Sequence, residues 1–214
     1  MADDYGSMLD NIALETRRPR ATFGTRIEQC VQEAIDDVSR ARYPWNQSRA
    51  NTFSTVASQE IYTSSDASWI DDILEFDAVT VTISSTDKRL LCSATYLEIE
   101  EWNSDGTTTG QPTHYCYWGE TLRIYPIPDA VYVTRIAGLF ALTRLSADVD
   151  TNAWVVRGKG EALIRASASA KFYGRYLRDA DQAAVWQNIA AAENDRCLAS
   201  LSRRQGDGRI RGSF

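Results

Sequence analysis

The spacing of hydrophobic residues along the chain changes twice, from helical to strand-like and back to helical. Two helices are predicted first, one over residues 7–18, which Pro19 ends, and a second that begins at Thr25. Thr25 and Glu28 have the spacing of a capping box, in which each side chain bonds an unpaired backbone N–H of the first turn. The second helix carries one apolar stripe, made of Ile27, Val31, Ala34, Ile35 and Val38.

From about residue 52 the pattern favours strands. Residues 53–62 are rich in β-branched and aromatic side chains, and apolar residues alternate with threonines over residues 78–84. Gly119-Glu120 is a plausible hairpin turn between two of the strands that follow. A short helix and then an exposed polar loop interrupt this region at residues 93–102 and 103–111, and the three further strands are predicted at 114–118, 121–125 and 131–142.

Helical spacing returns after residue 146. One helix is predicted over residues 161–177, and a second begins at another capping box, formed by Asp179 and Gln182. Both helices are crowded with alanine and serine, and small side chains let two helices pack closely. After Leu201 the apolar spacing is lost, so we expect a flexible basic tail.

These patterns predict an α+β fold in which a discontinuous helical bundle contains an inserted antiparallel β-rich domain and ends in an extended C-terminal tail. The N-terminal and C-terminal helices form one domain in this prediction, because neither half can bury its apolar stripe alone. The predicted boundaries are 1–50 and 150–204 for the two helical parts, 51–149 for the insertion, and 205–214 for the tail.

Charge is distributed unevenly along the chain. Residues 51–150 carry 15 acidic and 5 basic side chains, a net charge of −10, whereas residues 151–214 carry 6 acidic and 11 basic ones, a net charge of +5. The acidic middle of the chain would repel DNA wrapped around it, since contacts of basic residues with phosphate dominate the affinity of DNA-binding proteins. No apolar run approaches the ~18 residues of a membrane span, so the sequence gives no sign of a membrane protein.

Enzymatic chemistry has little support. His114 is the one histidine of the chain, and with Cys116 it would offer only two metal ligands on a strand face. The carboxylates Glu98 and Glu101 fall within one acidic run and suit a solvated face. The segment at residues 157–160 lacks the spacing of a phosphate-binding loop. The four cysteines, which form no C-x-x-C pair, are expected to be free and mostly buried thiols.

The C-terminal segment has the composition of a docking peptide. Extended, its last ten residues would span roughly 35 Å, enough to cross a neighbouring subunit. Apolar side chains would anchor it, and arginines would pair with acidic groups of a protein partner. The residues predicted to dock are Arg203, Arg204, Arg209, Ile210, Arg211 and Phe214.

Two short segments carry distinctive patterns. One reads "T-x-x-x-Q-E-x-Y" over residues 55–62. The other reads "GQPT-x-Y … L-x-(I/L)-x-P-x-P" and contains the residues Gly110, Gln111, Pro112, Thr113, Tyr115, Pro126 and Pro128. Both patterns resemble those of the adaptor proteins that join the portal of a bacteriophage to its tail. The order of helices and strands around these segments also agrees, from about Ile12 to Arg204.

The resemblance implies a structural virion protein, a head-to-tail connector without catalytic function or cofactor. Such proteins are made in the cytoplasm of the host bacterium and form a ring, typically a dodecamer, at the head–tail junction. The ring binds the portal protein above, through the C-terminal tail, and hub, nozzle or fibre proteins of the tail below. DNA passes through its lumen as cargo, and an acidic lumen would keep the DNA mobile.

Two other functions fit parts of the sequence. The chain has 6 tryptophans and 10 tyrosines, and aromatic rings stack on sugars, so a β-rich receptor- or carbohydrate-binding tail module is the main alternative. Aromatic residues fill cores and subunit interfaces equally well, however. A small hydrolase acting through Glu98 and Glu101 is the third possibility.

Overall fold

The computed structural model describes residues 4–43, 45–150 and 159–206. The described residues form five α-helices and ten β-strands, and the chain divides into two compact units. The helical unit contains Met1–Trp45 and Leu142–Phe214, and the β-rich unit contains Asn46–Ala141. The α+β class predicted from the sequence is confirmed.

The helical unit is built around one central helix. This helix, α4, contacts α1, α2 and α5, and its small residues Ala166, Ala168 and Ala170 are buried. Aliphatic side chains of α1 and α2 and the ring of Phe172 complete the core. The elements of this unit are α1 (Tyr5–Glu15), α2 (Arg20–Ser39), α4 (Lys159–Phe172), a π-helical turn (Tyr173–Leu177) and α5 (Ala180–Gly206).

The predicted start of α2 is wrong. The helix begins at Arg20 with Pro19 as its N-cap, so Thr25 and Glu28 lie inside it and form no capping box. Pro19 has a φ of −58°, and its carbonyl oxygen accepts hydrogen bonds from the backbone N–H groups of Thr22 and Phe23, both at 3.0 Å. The fixed φ of proline suits the entry to a helix, and this replaces a side-chain cap.

The C-terminal helices differ from the prediction at two places. The helix predicted over residues 161–177 is α4 followed by the π-helical turn, which Arg178 ends in a left-handed conformation with φ 52°. Asp179 then accepts a hydrogen bond from the Gln182 backbone N–H at 3.0 Å, as expected for the start of α5. The helix continues to Gly206, so Arg203 and Arg204 are helical and the predicted flexible tail does not begin at residue 202.

The β-rich unit contains two four-stranded sheets. One has the order β1-β10-β3-β4, the other β2-β8-β7-β5, and β6 pairs with β9. All pairs are antiparallel except β5–β7 and β6–β9, which are short and parallel. The elements are β1 (Gln47–Ser54), β2 (Ile61–Tyr62), β3 (Ile73–Thr82), β4 (Lys88–Leu90), β5 (Cys92–Ser93), α3 (Tyr96–Trp102), β6 (Thr109–Gly110), β7 (His114–Trp118), β8 (Thr121–Tyr125), β9 (Ile127–Pro128) and β10 (Val133–Phe140).

The predicted β7–β8 hairpin is present with the expected bounds, and both of its turn residues, Gly119 and Glu120, have a positive φ. The strand predicted at residues 53–62 is instead the end of β1, a turn, and the two-residue β2. Strand β3 begins earlier than predicted because its pairing with β10 contains bulges, which interrupt the alternation of apolar residues. At one bulge a Cβ on Gly138 would lie 2.1 Å from the Glu75 carbonyl oxygen, so only glycine fits there.

Candidate functional site

His114 and Cys116 are both held by the fold of the β-rich unit. The His114 ring lies 4.9 Å from the Trp102 ring, and its Nδ1 is hydrogen-bonded to the Thr113 hydroxyl at 2.9 Å. Cys116 is buried, and burial raises the pKa of its thiol. Since the thiolate is the nucleophilic form, this cysteine is poorly suited to covalent catalysis. Among the described residues, no group of three or more potential ligands could hold a metal ion.

The carboxylates considered for catalysis are separated by their environments. Glu98 closes a capping box with Thr95 at the start of α3, and hydrogen bonds from the Thr95 backbone and hydroxyl lower the pKa of Glu98. Glu101 lies on the same helix and is exposed. Asp71 and Asp72 are two further acidic residues of the β-rich unit, and they lie outside α3. Burial raises the pKa of Asp72, and the neighbouring Asp71 adds to this effect. The arrangement suits helix capping and a solvated acidic face rather than a pair of catalytic carboxylates.

The "T-x-x-x-Q-E-x-Y" segment forms the turn between β1 and β2, and its named residues each make a specific bond. The Thr55 hydroxyl accepts from the Tyr132 N–H at 2.8 Å and donates to the Ala130 carbonyl at 3.1 Å. The Tyr62 hydroxyl donates to the Gln59 carbonyl at 2.8 Å. The spacing of this pattern is therefore explained by a turn in which side chains satisfy backbone groups.

The second family pattern is brought together at the β6–β9 pair. Gly110 lies opposite Pro128, and the Ile127 N–H donates to the Thr108 carbonyl at 3.0 Å. Pro112, Tyr115 and Pro128 are buried, whereas Gln111 and Thr113 are exposed. The remaining member, Pro126, lies next to Gly110 and follows a cis peptide bond. Most of these side chains therefore shape the β-rich unit, and Gln111 and Thr113 are the two that reach its surface.

A buried arginine on β8, which the sequence patterns did not reveal, links this strand to α3. The Arg123 side chain is 9% exposed; its Nε donates to Glu60 Oε1 at 2.6 Å, and its guanidinium also bonds Glu100. The same guanidinium lies 5.3 Å from the Tyr96 ring centroid. Arg123 therefore fixes both the position of α3 and the orientation of the Tyr96 ring.

A groove runs between α3 and β7, and we refer to it as the α3–β7 groove. It has a volume of about 460 Å³. Trp118, at the end of β7, is 69% exposed, and its ring centroid lies 6.2 Å from that of Tyr96. Leu97 is 77% exposed at the opposite wall. The groove is lined by Ala94, Thr95, Tyr96, Leu97, Cys116, Tyr117 and Trp118.

Helix α5 packs on α4 with one side only. Ala183 and Cys197 are buried on that side, whereas Val185, Ile189 and Leu198 are exposed elsewhere on the helix. Val185 and Ile189 lie one turn apart on one side of the helix, and we call these two residues the α5 outer face. Leu198 lies on the opposite side from Ile189, since nine residues correspond to about two and a half turns. The predicted docking residues Arg209, Ile210, Arg211 and Phe214 lie outside the described residues. None of the described helices is long and apolar enough to cross a membrane.

Comparison with known proteins agrees with the two family patterns. No curated protein matches the chain. A model of the family described as "SU10 adaptor protein" matches residues 3–212, nearly the whole sequence. The match covers both the helical unit and the β-rich unit, and the chain therefore belongs to the SU10 adaptor protein family.

Proposed function

We propose that this protein is the head-to-tail adaptor of a bacteriophage, which assembles as a homo-oligomeric ring between the portal and the tail and gives passage to DNA. The observation that carries the proposal is the family match over residues 3–212. Membership of an adaptor family gives the chain a structural role in the phage virion. The ring, its dodecameric size and its place below the portal are proposed from the resemblance of the sequence to portal adaptors.

The α5 outer face supports assembly into a ring. A long helix that leaves Val185 and Ile189 exposed one turn apart has apolar surface to offer to a neighbouring copy. Interfaces between copies of one chain are more apolar than the rest of a protein surface. A ring in which each copy presents this face to the next would bury it repeatedly.

The charge of the β-rich unit supports the passage of DNA. Residues 46–141 carry 13 acidic and 5 basic side chains, a net charge of −8. Carboxylates that face a channel would repel the phosphates of DNA and keep it from adhering to the wall. We therefore propose that part of this acidic surface lines the lumen of the ring.

Docking on the portal is assigned to the C-terminal segment, with Arg203, Arg204, Arg209, Ile210, Arg211 and Phe214 as the contact residues. A test is the mass of single particles formed by the cognate portal ring with the full chain or with a chain that ends at Gly206. The shorter chain keeps α5 whole, so it should fold and yet fail to bind the portal. A chain with Arg209→Lys and Arg211→Lys keeps the charge and serves as the matched control.

Two results would decide between the adaptor proposal and its rejection. A stoichiometric increase in mass with the full chain and the lysine control, lost in the shorter chain, would give the copy number and establish the dock. The absence of any increase with the full chain, under salt at which the portal ring is intact, would contradict the adaptor proposal.

Carbohydrate binding is the second candidate, and one observation favours it. Trp118 and Tyr96 are exposed beside the carboxylates of α3, and sugars are commonly held by aromatic rings and carboxylates. Direct binding of host surface glycans by the isolated protein, lost in Trp118→Ala, would support this function over the adaptor role.

A further inference from the structure

The α3–β7 groove has the chemistry of a protein-docking site. Trp118 is 69% exposed although it is the side chain most costly to leave in water. Tyr96 and Leu97 extend this apolar surface along α3. Exposed aromatic residues gathered around a concavity are typical of the central contacts in protein interfaces.

The groove is held in shape before any partner binds. The capping box of Thr95 and Glu98 fixes the start of α3. Arg123 is anchored to Glu60, and its guanidinium packs against the Tyr96 ring at 5.3 Å from the ring centroid. A rigid site loses less entropy on binding than one that must be ordered. The buried arginine therefore acts as a positioning residue for the groove.

The rim of the groove is acidic. Glu101 lies one helical turn after Leu97, and Glu120 lies in the turn that follows Trp118. Within the part of the chain that the structure describes, neither carboxylate forms an ion pair. A partner that fills the groove with an apolar side chain and places a cation at its rim would complement both features.

We infer that the α3–β7 groove binds a segment of a tail protein in which an arginine or lysine stands beside an aromatic or aliphatic side chain. The inference rests on the proposed adaptor function, and it assigns the tail-facing contact to these residues. A sugar fits the groove less well, because the Thr95 hydroxyl is already bonded to Glu98 and the two aromatic rings are tilted by 36°. Alanine, leucine and cysteine side chains supply much of the remaining lining.

The test uses portal particles loaded with the full-length protein and the purified cognate tail protein that attaches next. Trp118→Ala and Leu97→Ala are expected to weaken attachment of the tail protein by about 30-fold or more, the loss associated with a central interface residue. Leu90→Ser is the matched control, since Leu90 is 66% exposed on β4 and lies outside the groove. It should change the affinity by less than about threefold.

A second pair of variants tests the acidic rim. Glu101→Lys with Glu120→Lys should slow association and reduce its dependence on salt, because the steering charges are reversed. Asp87→Lys, at a half-exposed carboxylate between β3 and β4 that pairs with Arg89, is the control for charge reversal and should have a much smaller effect. The groove substitutions are at exposed positions, so unchanged thermal unfolding will show that each variant is folded.

Portal binding is recorded in the same samples, which separates the two proposals. Loss of tail-protein attachment with portal binding retained would support the groove. If the wild-type protein fails to bind the portal, the adaptor proposal falls. If portal binding is normal but the tail protein attaches equally to Trp118→Ala and Leu90→Ser, only the groove is refuted. Binding of a peptide of residues 203–214 to the isolated protein that is lost in Trp118→Ala, or binding of glycans at Trp118 instead, would also overturn the inference.

Discussion

Each of the two units of this protein is stabilised by a different kind of core. The core of the β-rich unit is richer in aromatic residues than that of the helical unit, and these rings pack among aliphatic side chains. The rings of Phe53 and Tyr62 lie 4.9 Å apart, and Phe76 lies 5.2 Å from Tyr115. The core of the helical unit is mainly aliphatic and contains small residues, which allow α4 to be buried among three other helices. The difference follows from element geometry, since short strands need large side chains to fill a core whereas long helices need small ones to approach each other.

Ion pairs are also used differently in the two units. In the helical unit most of them join residues far apart in sequence, because the unit is made from both ends of the chain. These pairs are partly exposed and each contributes little, so the apolar core must supply most of the stability. In the β-rich unit the main ionic group centres on the buried Arg123, whose partners are the half-buried Glu60 and the exposed Glu100. The pairs of the helical unit include Arg165–Glu15, Arg144–Asp36, Lys171–Asp37 and Arg175–Glu33.

The largest expected effect comes from the core of the helical unit. Phe172 is fully buried, and its ring meets those of Phe23 at 6.0 Å and Tyr176 at 5.7 Å. Phe172→Ala should lower the free energy of unfolding by about 3–5 kcal/mol, because it removes these contacts and leaves a cavity. Urea unfolding measures the loss, and amide hydrogen exchange will show which unit opens first.

The comparison predicts that the loss is confined to one unit. Amides of β3, β7 and β10 should keep more of their protection than those of α2 and α4. Leu14→Ala, at an exposed position of α1, is the matched control and should change stability by less than about 0.5 kcal/mol. Equal loss of protection in both units would show that they unfold as one, which would contradict the division.

A somewhat smaller effect is expected from the buried arginine of the β-rich unit. Arg123→Met should destabilise the protein by about 3 kcal/mol, since it leaves the Glu60 carboxylate without its partner in a poorly solvated site. Urea unfolding of the single variant and of the double variant Arg123→Met with Glu60→Leu provides the measurement. The double variant should recover much of the loss, because it removes the unpaired charge.

This experiment also bears on the groove. Both variants remove the contact between the guanidinium and the Tyr96 ring. Attachment of the tail protein should therefore stay weak in the double variant, even though that variant regains stability. A double variant that restores stability and attachment equally would refute the positioning role of Arg123.

Long periodic segments and one tight turn could be predicted from the sequence. The stripe from Ile27 to Val38 gave α2, and Gly119-Glu120 gave the β7–β8 hairpin. The predictions failed where local bonds outweigh periodicity. Pro19 begins α2 through its backbone, although the Thr25–Glu28 spacing suggested a cap further along. The true capping box, Thr95 with Glu98, has the same spacing but precedes a helix of only seven residues.

The features of the candidate site were harder to predict. The turn at residues 55–60 depends on the Tyr62 hydroxyl bonding the Gln59 carbonyl, a contact that the β-like composition of the segment conceals. Arg123 lies in an alternating strand and would be assigned to the surface by its charge. Its partners Glu60 and Glu100 are 63 and 23 residues away. The groove likewise requires α3 and β7 to be adjacent, and this follows only from the three-dimensional packing.

The smallest expected effect is on the pH dependence of stability. One glutamate in each unit should change this dependence, and the two changes should have opposite signs. Hydrogen bonds from Thr95 lower the pKa of Glu98 in the β-rich unit below its ordinary value of 4.5, so its contribution to stability is present at neutral pH and is lost as the pH falls through the lowered pKa. Burial raises the pKa of Glu15 in the helical unit above 4.5, so its contribution to stability improves as the pH falls through the raised pKa.

Glu98→Gln keeps a capping residue that does not titrate, and Glu15→Gln keeps an acceptor for Arg165. Hydrogen exchange from pH 7 to pH 3, referenced to wild type, should show Glu98→Gln reducing the acid sensitivity of the β-rich unit and Glu15→Gln increasing that of the helical unit. Shifts of the same sign in both variants would mean that the burial of Glu15 does not outweigh its pairing with Arg165.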